Sequence, residues 1–401
     1  MVWTGCSVRN RIRTNGDAAL VKLQTIKEQI EGYMPDILRL LEESVNIDSP
    51  STDKRQNDLM ADWFTRQFQR LTGGRVIRVP NETYGDRLLC EVGSGEKQIL
   101  LLGHYDTVWP LGEAARRPFR IEDGRAYGPG VYDMKAGLLQ AIFALKALLD
   151  SGRFPEDKKV VLLMNSDEEL GSPTSRALIE EQAKLSAVAF VLEPPMEPSG
   201  ALKTSRKGSG RYKLAVQGIS AHAGVNPEKG VSAIHELACQ IQRLHALTDL
   251  SRGTTVNVGV IRGGIGSNVV AEHAEGEIDV RVATSAEAER IEAELARLIP
   301  ALPQARLTLT GRMMRPPMER TDRTAALFAL AQEIARTDHG IELAETHTGG
   351  VSDGNFTAAV GTPTLDGLGA RGDFAHSPDE YVRIDEIPLR TALLAELIRR
   401  C

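Results

Sequence analysis

Cysteine is scarce in this chain. Cys6, Cys90, Cys239 and Cys401 are the only four in 401 residues, widely scattered and without a C-x-x-C pair. That excludes a disulfide framework or a thiolate metal site and fits a reducing compartment. Long apolar runs are missing too: nothing approaches the roughly 18 residues that a membrane-spanning helix needs. The first residues, M-V-W-T-G-C-S-V-R-N-R-I-R, lack the apolar core of a secretory leader, so a cytoplasmic protein is expected. There is no basic stripe, and the formal net charge is −6, which argues against a nucleic-acid partner. No internal repeat is visible.

What the chain does have is 42% hydrophobic residues, enough for two cores. Three apolar runs share one kind of ending. Ile99 to Leu102 closes at Gly103 and is followed by His104 and Asp106. Val160 to Met164 leads through Asn165-Ser166 into Asp167-Glu168-Glu169, and Val188 to Leu192 runs into Glu193. Short continuous apolar runs of this kind read as strands buried on both faces. Ligands in open α/β sheets bind just beyond the carboxyl ends of such strands. Three strand ends that release only imidazole and carboxylate groups suggest a metal site collected at one sheet edge. Asp106, two residues past His104, is placed to accept from the ring and fix its orientation.

Elsewhere the pattern alternates between helix and strand signals. Helical spacing begins at Ala18 and continues to about Asn46, with Pro35 marking a break or a helix first turn. Thr52-Asp53 caps a second helix that stops at Gly73-Gly74. Residues 109–132 form a long Gly-, Pro- and Arg-rich connection of the kind that is often functional. It leads to Asp133 before a strongly helical stretch, where Asp is either an N-cap or a ligand. From Arg211 to Leu309 the order is β-α-β-β-α-β, the split βαβ pattern. The expected fold is therefore of the α/β class. A mixed-sheet catalytic domain spans 17–205 and 313–401, and an inserted α+β ferredoxin-like (βαββαβ) domain spans 206–312. Residues 1–16 form an N-terminal extension.

Several single residues have plain alternative explanations. Arg281 could pair with Asp279 or Glu277 on a strand surface, and His222 could be an exposed turn residue. Lys207 reads as solvated linker charge, and His235, His245, His273 and His339 as surface or helix histidines. His347 stays open, as do Arg312, Arg315 and Arg371, which could favour acidic substrates.

The ordered set G-H-Y-D-T-V, G-P-G-V-Y-D-M-K-A-G, N-S-D-E-E-L-G-S, L-E-P, I-S-A-H-A-G, S-N-V-V, D-V-R, T-G-G-V-S-D-G-N and A-H-S-P-D-E resembles the dinuclear zinc peptidases and aminoacylases. That family includes glutamate carboxypeptidase, aminoacylase and succinyl-diaminopimelate desuccinylase. The resemblance covers roughly residues 20–400, and the last two motifs look most like the glutamate carboxypeptidase branch. One departure is Ala136, where D-x-K-G-G members carry Gly.

The resemblance implies a zinc-dependent carboxypeptidase or amidohydrolase with two Zn2+ per chain, Co2+ or Mn2+ being alternatives. His104 and Glu193 would ligate one metal, His376 and Glu169 the other, with Asp133 bridging. Glu168 would be the general base and Asp106 the group that orients His104. Asn268 and Arg281 would bind the substrate carboxylate and Gly350 would make a backbone contact. The inserted domain implies a homodimer in which His222 reaches the partner's site. The chemistry suits these residue types: paired metals clamp the attacking and leaving oxygens, and an adjacent carboxylate moves the proton. The substrate would be a small molecule, either a short peptide or an N-acyl amino acid. A dipeptidase or aminopeptidase, with Asp353 as the acid facing a free amine, and a non-catalytic binding dimer are the other readings.

Overall fold

The computed structural model describes residues 25–401; the expected extension at 1–16 and the helix start at Ala18 lie outside the described residues. Helix α1 (Ile26–Val45) opens on a capping box. The Thr25 hydroxyl accepts from the Glu28 N–H at 3.2 Å, and the Glu28 carboxylate accepts from the Thr25 N–H at 2.8 Å. The helix runs straight through Pro35, contrary to the expected break. Glu31, whose carbonyl loses its partner there, and Pro35 itself are both exposed. Ile30, Ile37, Leu40 and Leu41 anchor the opposite face in the core, so packing outweighs the missing bond. Helix α2 (Lys54–Thr72) is capped by Asp53 and ends at Gly73, whose φ of 66° is left-handed.

Strands β1 (Arg75–Val79), β2 (Arg87–Val92) and β3 (Lys97–His104) come next. The long connection after β3 has structure of its own: a helical turn α3 (Glu113–Arg116) and a hairpin of β4 (Arg120–Glu122) and β5 (Arg125–Tyr127). Beyond it lie α4 (Ala136–Asp150), β6 (Lys158–Asn165), α5 (Arg176–Lys184), β7 (Ser186–Val191) and β8 (Leu202–Arg206). A second unit contains β9 (Gly208–Gln217), α6 (Ala233–His245), β10 (Thr255–Gly263), β11 (His273–Val282), α7 (Ser285–Ala296) and β12 (Arg306–Arg315). The chain closes with α8 (Asp322–His339), β13 (Glu345–Thr348), α9 (Gly354–Ala359), β14 (Thr364–Leu365), β15 (Gly372–Asp373), β16 (Tyr381–Arg383) and α10 (Ile387–Arg400).

The main sheet has the order β1-β2-β6-β3-β7-β14. β3 runs parallel to β6 and β7, and β14 parallel to β7, while β2 is antiparallel to β6. Alternate residues of the central strands serve two faces. Ile99, Leu101, Val160 and Leu162 pack with residues of α1, α4, α8 and α10. Leu100, Leu102, Val161 and Leu163 pack with Ile179, Ala183 and Phe356 from α5 and α9. Both faces are covered, which is why these strands are continuous apolar runs. β15, β16, β5 and β4 form a small separate sheet, and β13 pairs with β8.

The second unit has its own antiparallel sheet, β10-β11-β9-β12, and its own apolar cluster, which includes Leu214, Leu237, Ile278, Val280 and Ile291. β12 continues past Leu309, its expected end, to Arg315 opposite Ser209, so position 312 lies inside the strand. Gly311, a residue depleted in strands, interrupts the pattern after Leu309.

The two chain crossings between the units are bonded to each other. The N–H of Arg206 donates to the Met318 carbonyl at 2.9 Å, and the N–H of Met318 donates back at 3.0 Å. The Arg206 guanidinium is buried and bidentate to Asp366, at 2.7 and 2.8 Å, and also donates to the Val351 carbonyl at 3.2 Å. Removing one partner of a buried pair strands the other charge. Asp366→Ala is expected to destabilise the protein by about 3–5 kcal/mol, read as a lowered midpoint in chemical denaturation. A midpoint within error of the parent would mean Arg206 is satisfied without Asp366.

Candidate functional site

Because β3, β6 and β7 are mutually parallel, their carboxyl ends share one edge. His104 is the last residue of β3, Glu168 and Glu169 lie in a short 3-10 turn beyond β6, and Glu193 stands just past β7. Asp133 arrives from the segment before α4, and His376 from the turn between β15 and β16. Asp133 does not cap the helix: the N-cap position of α4 is Lys135, and no side chain caps it. Its two oxygens face two imidazoles instead. Oδ1 lies 3.2 Å from His104 Nε2, and Oδ2 lies 3.3 Å from His376 Nε2. His104 Nε2 is also 3.7 Å from Glu193 Oε1, and His376 Nε2 is 3.2 Å from Glu169 Oε1.

Asp106 does two jobs. Nδ1 of His104 lies 3.0 Å from its backbone carbonyl and 3.4 Å from its carboxylate. That carboxylate also accepts the N–H groups of Glu168 and Glu169, both at 3.3 Å. Ring orientation and the Glu168–Glu169 turn therefore depend on one residue.

The electrostatics are those of crowded, desolvated acids. Burial is the largest influence on each of them. It raises Glu168 well above the carboxylate range, raises Glu169, and together with the Asp133 charge lifts Glu193 to about 7. Asp133 goes the other way: burial opposes its charge, but hydrogen bonds from His104 and His376 hold its pKa down. Hydrogen bonds to Asp133 and Glu169 push His376 up to about 11. Burial disfavours a charged His104, yet Asp106 and Asp133 still hold it well above the usual imidazole range.

Protons thus compensate a cluster of negative charge that a cation could compensate instead. Ligand atoms of His104, Asp133 and Glu169, and of His104, Glu168 and Glu193, lie within 4.8 Å of one another. The donors are imidazole nitrogen and carboxylate oxygen, a set suited to zinc, cobalt or manganese. On geometry and donor chemistry, the residues present fit divalent metal binding.

The cluster opens into a cleft of about 340 Å³, whose lining includes Ser209, Arg211, Arg281 and Arg315 from the second unit, together with Met314 and Val351. Hollows of about 630 and 440 Å³ against the β9–β12 sheet contain none of the cluster. It is the acid–imidazole chemistry, not volume, that marks the site.

The remaining candidates separate by position. Arg281 lines the cleft while pairing with Asp279 at 3.0 Å. His222 and Asn268 stand together, the Ala223 N–H donating to the Asn268 carbonyl at 2.9 Å, and neither lines the cleft of its own chain. Gly350 is exposed beside Val351, and its carbonyl accepts from Arg206 at 3.4 Å. Arg371 is spent on Glu197 and Glu386, Arg312 is exposed outside the cleft, and His347 is exposed on β13, so none of the three faces the cluster. Asp353, considered as an unpaired acid, is buried and fully engaged: it accepts from Arg315 at 2.6 Å and from Asn165 and Ser172.

The sequence left Arg315 open as a substrate contact and did not single out Arg211 or Glu380. Arg315 is buried and donates to Asp353, to Glu168 Oε1 at 2.9 Å and to the Glu168 carbonyl at 3.1 Å. Arg211 lines the cleft, and its guanidinium has no hydrogen-bonding or ionic partner among the described residues. Strand register carries the signal: Arg281 and Arg315 flank Ser209 from either side of β9, and Arg211 lies two residues on along the same face of that strand. Glu380 closes the A-H-S-P-D-E motif and sits beneath Asp133, accepting its N–H at 3.1 Å.

Comparison with known proteins adds a family. The model of peptidase family M20/M25/M40 matches residues 100–400. The chain is 30% identical over 370 residues to carboxypeptidase G2 of a Pseudomonas species, covering 91% of this chain and 89% of that protein. It is 29% identical over 337 residues to succinyl-diaminopimelate desuccinylase of Stenotrophomonas maltophilia, covering 79% and 87%. Among solved structures, an aminopeptidase from Bacillus cereus superposes with a TM-score of 0.78 at 23% identity, covering 91% of this chain and 98% of that one. An M20 family metallo-carboxypeptidase from Sulfolobus solfataricus gives 0.71 at 19% identity, with the same coverage. These two likenesses are of fold.

The Arg315–Asp353 pair can be tested without an activity. In a double-mutant cycle, Arg315→Met and Asp353→Asn should each destabilise, and the double variant should lose less than their sum. The expected coupling is about 0.5–3 kcal/mol, measured by urea unfolding. Additive losses would mean the two residues act independently.

Proposed function

Because the chain belongs to peptidase family M20/M25/M40, a family of metallopeptidases and amidohydrolases, we propose that it cleaves an amide bond and releases an amino acid with a free α-carboxylate. The observation that carries this reading is the shared cleft: Arg211 and Arg281 line the same space as Asp133, Glu168, Glu169 and His376. A substrate carboxylate placed between those guanidiniums would lie across the cleft from the acid cluster. Peptides with a C-terminal amino acid and N-acyl amino acids both present that leaving group, in keeping with carboxypeptidase and desuccinylase relatives.

In this reading His104, Asp133 and Glu193 hold one ion, and Asp133, Glu169 and His376 the other, with zinc as the metal. When bound, such ions polarise the scissile carbonyl and acidify water. The rest falls to the chain. Glu168, held by Arg315 at 2.9 Å, takes the proton of the attacking water and returns it to the leaving nitrogen. Its environment supports both acts, since burial favours the protonated form while Arg315 favours the carboxylate. Asp106 keeps His104 in register. Arg281 turns from Asp279, its half-buried neighbour on β11, to the substrate carboxylate. Gly350, beside the cleft-lining Val351, offers a backbone contact.

His222 and Asn268 line no part of their own cleft. We assign them to the cleft of a second copy, in a homodimer built through the 206–312 unit. A free amine, in turn, finds no unpaired acid at Asp353, so release from the carboxyl side is favoured over an aminopeptidase.

The test is a hydrolysis screen of N-acyl amino acids and dipeptides with metal-loaded and chelator-stripped protein. Release of the C-terminal amino acid should require metal. Glu168→Gln should retain metal and lose about 10²–10⁴-fold in kcat; full turnover in that variant would remove Glu168 as the base. Cleavage confined to substrates with a free amine would overturn the carboxyl-side reading. Subunit mixing tests the dimer. Inactive Glu168→Ala and His222→Ala proteins, re-assorted at equal amounts, should recover about one quarter of parent activity, because half the dimers would carry one intact site. No recovery despite proven exchange would place His222 outside the partner's site.

A further inference from the structure

One buried carboxylate outside the proposed ligand set touches three of the segments that carry it. Glu380 is 1% exposed. Its Oε1 accepts the backbone N–H groups of Tyr132 at 2.9 Å and Asp133 at 3.1 Å. Its Oε2 accepts the Gly130 N–H at 3.0 Å and the Trp109 indole N–H at 3.2 Å. Trp109 lies on the connection that leaves His104 and Asp106. Gly130 to Asp133 is the segment that aims the Asp133 carboxylate, and Glu380 itself shares one turn with His376, its N–H donating to the Ser377 carbonyl at 3.0 Å. The first and last of these segments are further tied by Arg117, which stacks on Trp109 at 4.2 Å and donates to the Pro378 carbonyl at 2.7 Å.

The Asp133 segment needs such a partner. It precedes α4 with non-helical backbone at Asp133 and a left-handed Gly130, at φ 72°, so no regular ladder claims its N–H groups. A carboxylate is the side chain suited to receive them, because both of its oxygens accept and neither donates. Two donors reach each oxygen, and an amide in the same place would turn its NH2 against two of them.

We propose that Glu380 is the positioning residue of the metal centre, setting Asp133 at the distance from His104 and His376 at which it can bridge two ions. The inference rests on the ligand reading of Asp133 and His376. Glu380 touches neither metal nor substrate; it acts through the backbone of Asp133 and through the turn that carries His376. Its loss should therefore weaken metal uptake more than folding, and at the His376 side most, since that imidazole is half exposed and comes from a short turn.

The experiment is zinc titration calorimetry and metal analysis on the chelator-stripped full chain, as parent, Glu380→Gln and Glu380→Asp, with unfolding midpoints of the metal-free proteins. Cobalt-loaded absorption spectra report the ligand geometry. The parent should take up two equivalents. Glu380→Gln should bind one of them about 10–100-fold more weakly, the range expected on loss of a group that orients a ligand. Its metal-free midpoint should fall by less than the affinity loss accounts for, and its cobalt spectrum should change. Glu380→Asp, which keeps the charge but retracts it, should fall between, and it carries the test if the Gln variant does not fold. Two equivalents at parent affinity with an unchanged cobalt spectrum, in whichever variant folds, overturns the proposal. So does an affinity loss that merely tracks a fall in the metal-free midpoint. A parent that takes up no metal overturns the ligand reading itself, and this inference with it.

Discussion

Four carboxylates, Asp133, Glu168, Glu169 and Glu193, meet two imidazoles in a cleft largely withdrawn from water. Like charges so placed cannot all ionise without compensation. Much of the surrounding structure answers that constraint. Parallel strands bring three of the acids to one edge, while Arg315 and the N–H groups held by Asp106 fix the Glu168–Glu169 turn from either side. Cations held by these carboxylates and imidazoles would complete the compensation without protons.

The second unit is joined to this centre by more than its two crossings. Arg206 and Arg315 stand at the ends of β8 and β12, one on each crossing, and both are buried against carboxylates of the main body. Arg315 belongs at once to the β9–β12 sheet and to the Glu168 environment. The wall of the cleft that carries Arg211 and Arg281 is thereby anchored to the residue proposed to move the proton. A change in the tilt of that sheet would be felt at Glu168 directly.

How far sequence could reach depends on where the signals are local. The buried strands were legible because two-sided burial leaves uninterrupted apolar runs, and His104, Glu168, Glu169 and Glu193 were legible because they come directly after those runs; Asp133 stood open between cap and ligand, and His376 entered only through the resemblance. The capped helix after Asp53 and the βαββαβ order were legible for the same reason, each being written in adjacent residues. Pro35 misled because tertiary packing of Ile30, Ile37 and Leu40 overrides a local rule. The short strands β4, β5, β15 and β16 have too few residues to show a period. Arg211 and Glu380 were invisible as site residues, and Arg315 stood only as an open substrate contact, because their neighbours in the site are distant in the chain: Arg315 meets Glu168 across 147 positions and Glu380 meets Asp133 across 247. Asp353 looked available only because its partners could not be seen.

The order of these pieces along the chain has a consequence for biosynthesis. His104, Asp133, Glu168, Glu169 and Glu193 all emerge from the ribosome before the stretch from Gly208 to Arg315, which separates them from the rest of the main body. The groups that balance and position them arrive last: Arg315, then Asp353, then His376 and Glu380. β14 and α10, which complete the main sheet and its apolar cluster, are equally late. The β9–β12 sheet, closed on itself with its own core, can fold while the first half of the main body is still waiting for its other half. Until then the nascent chain carries a group of acids without the His376 imidazole and the Glu380 carboxylate that organise them, so the site proposed to hold the metals is complete only at the end of folding.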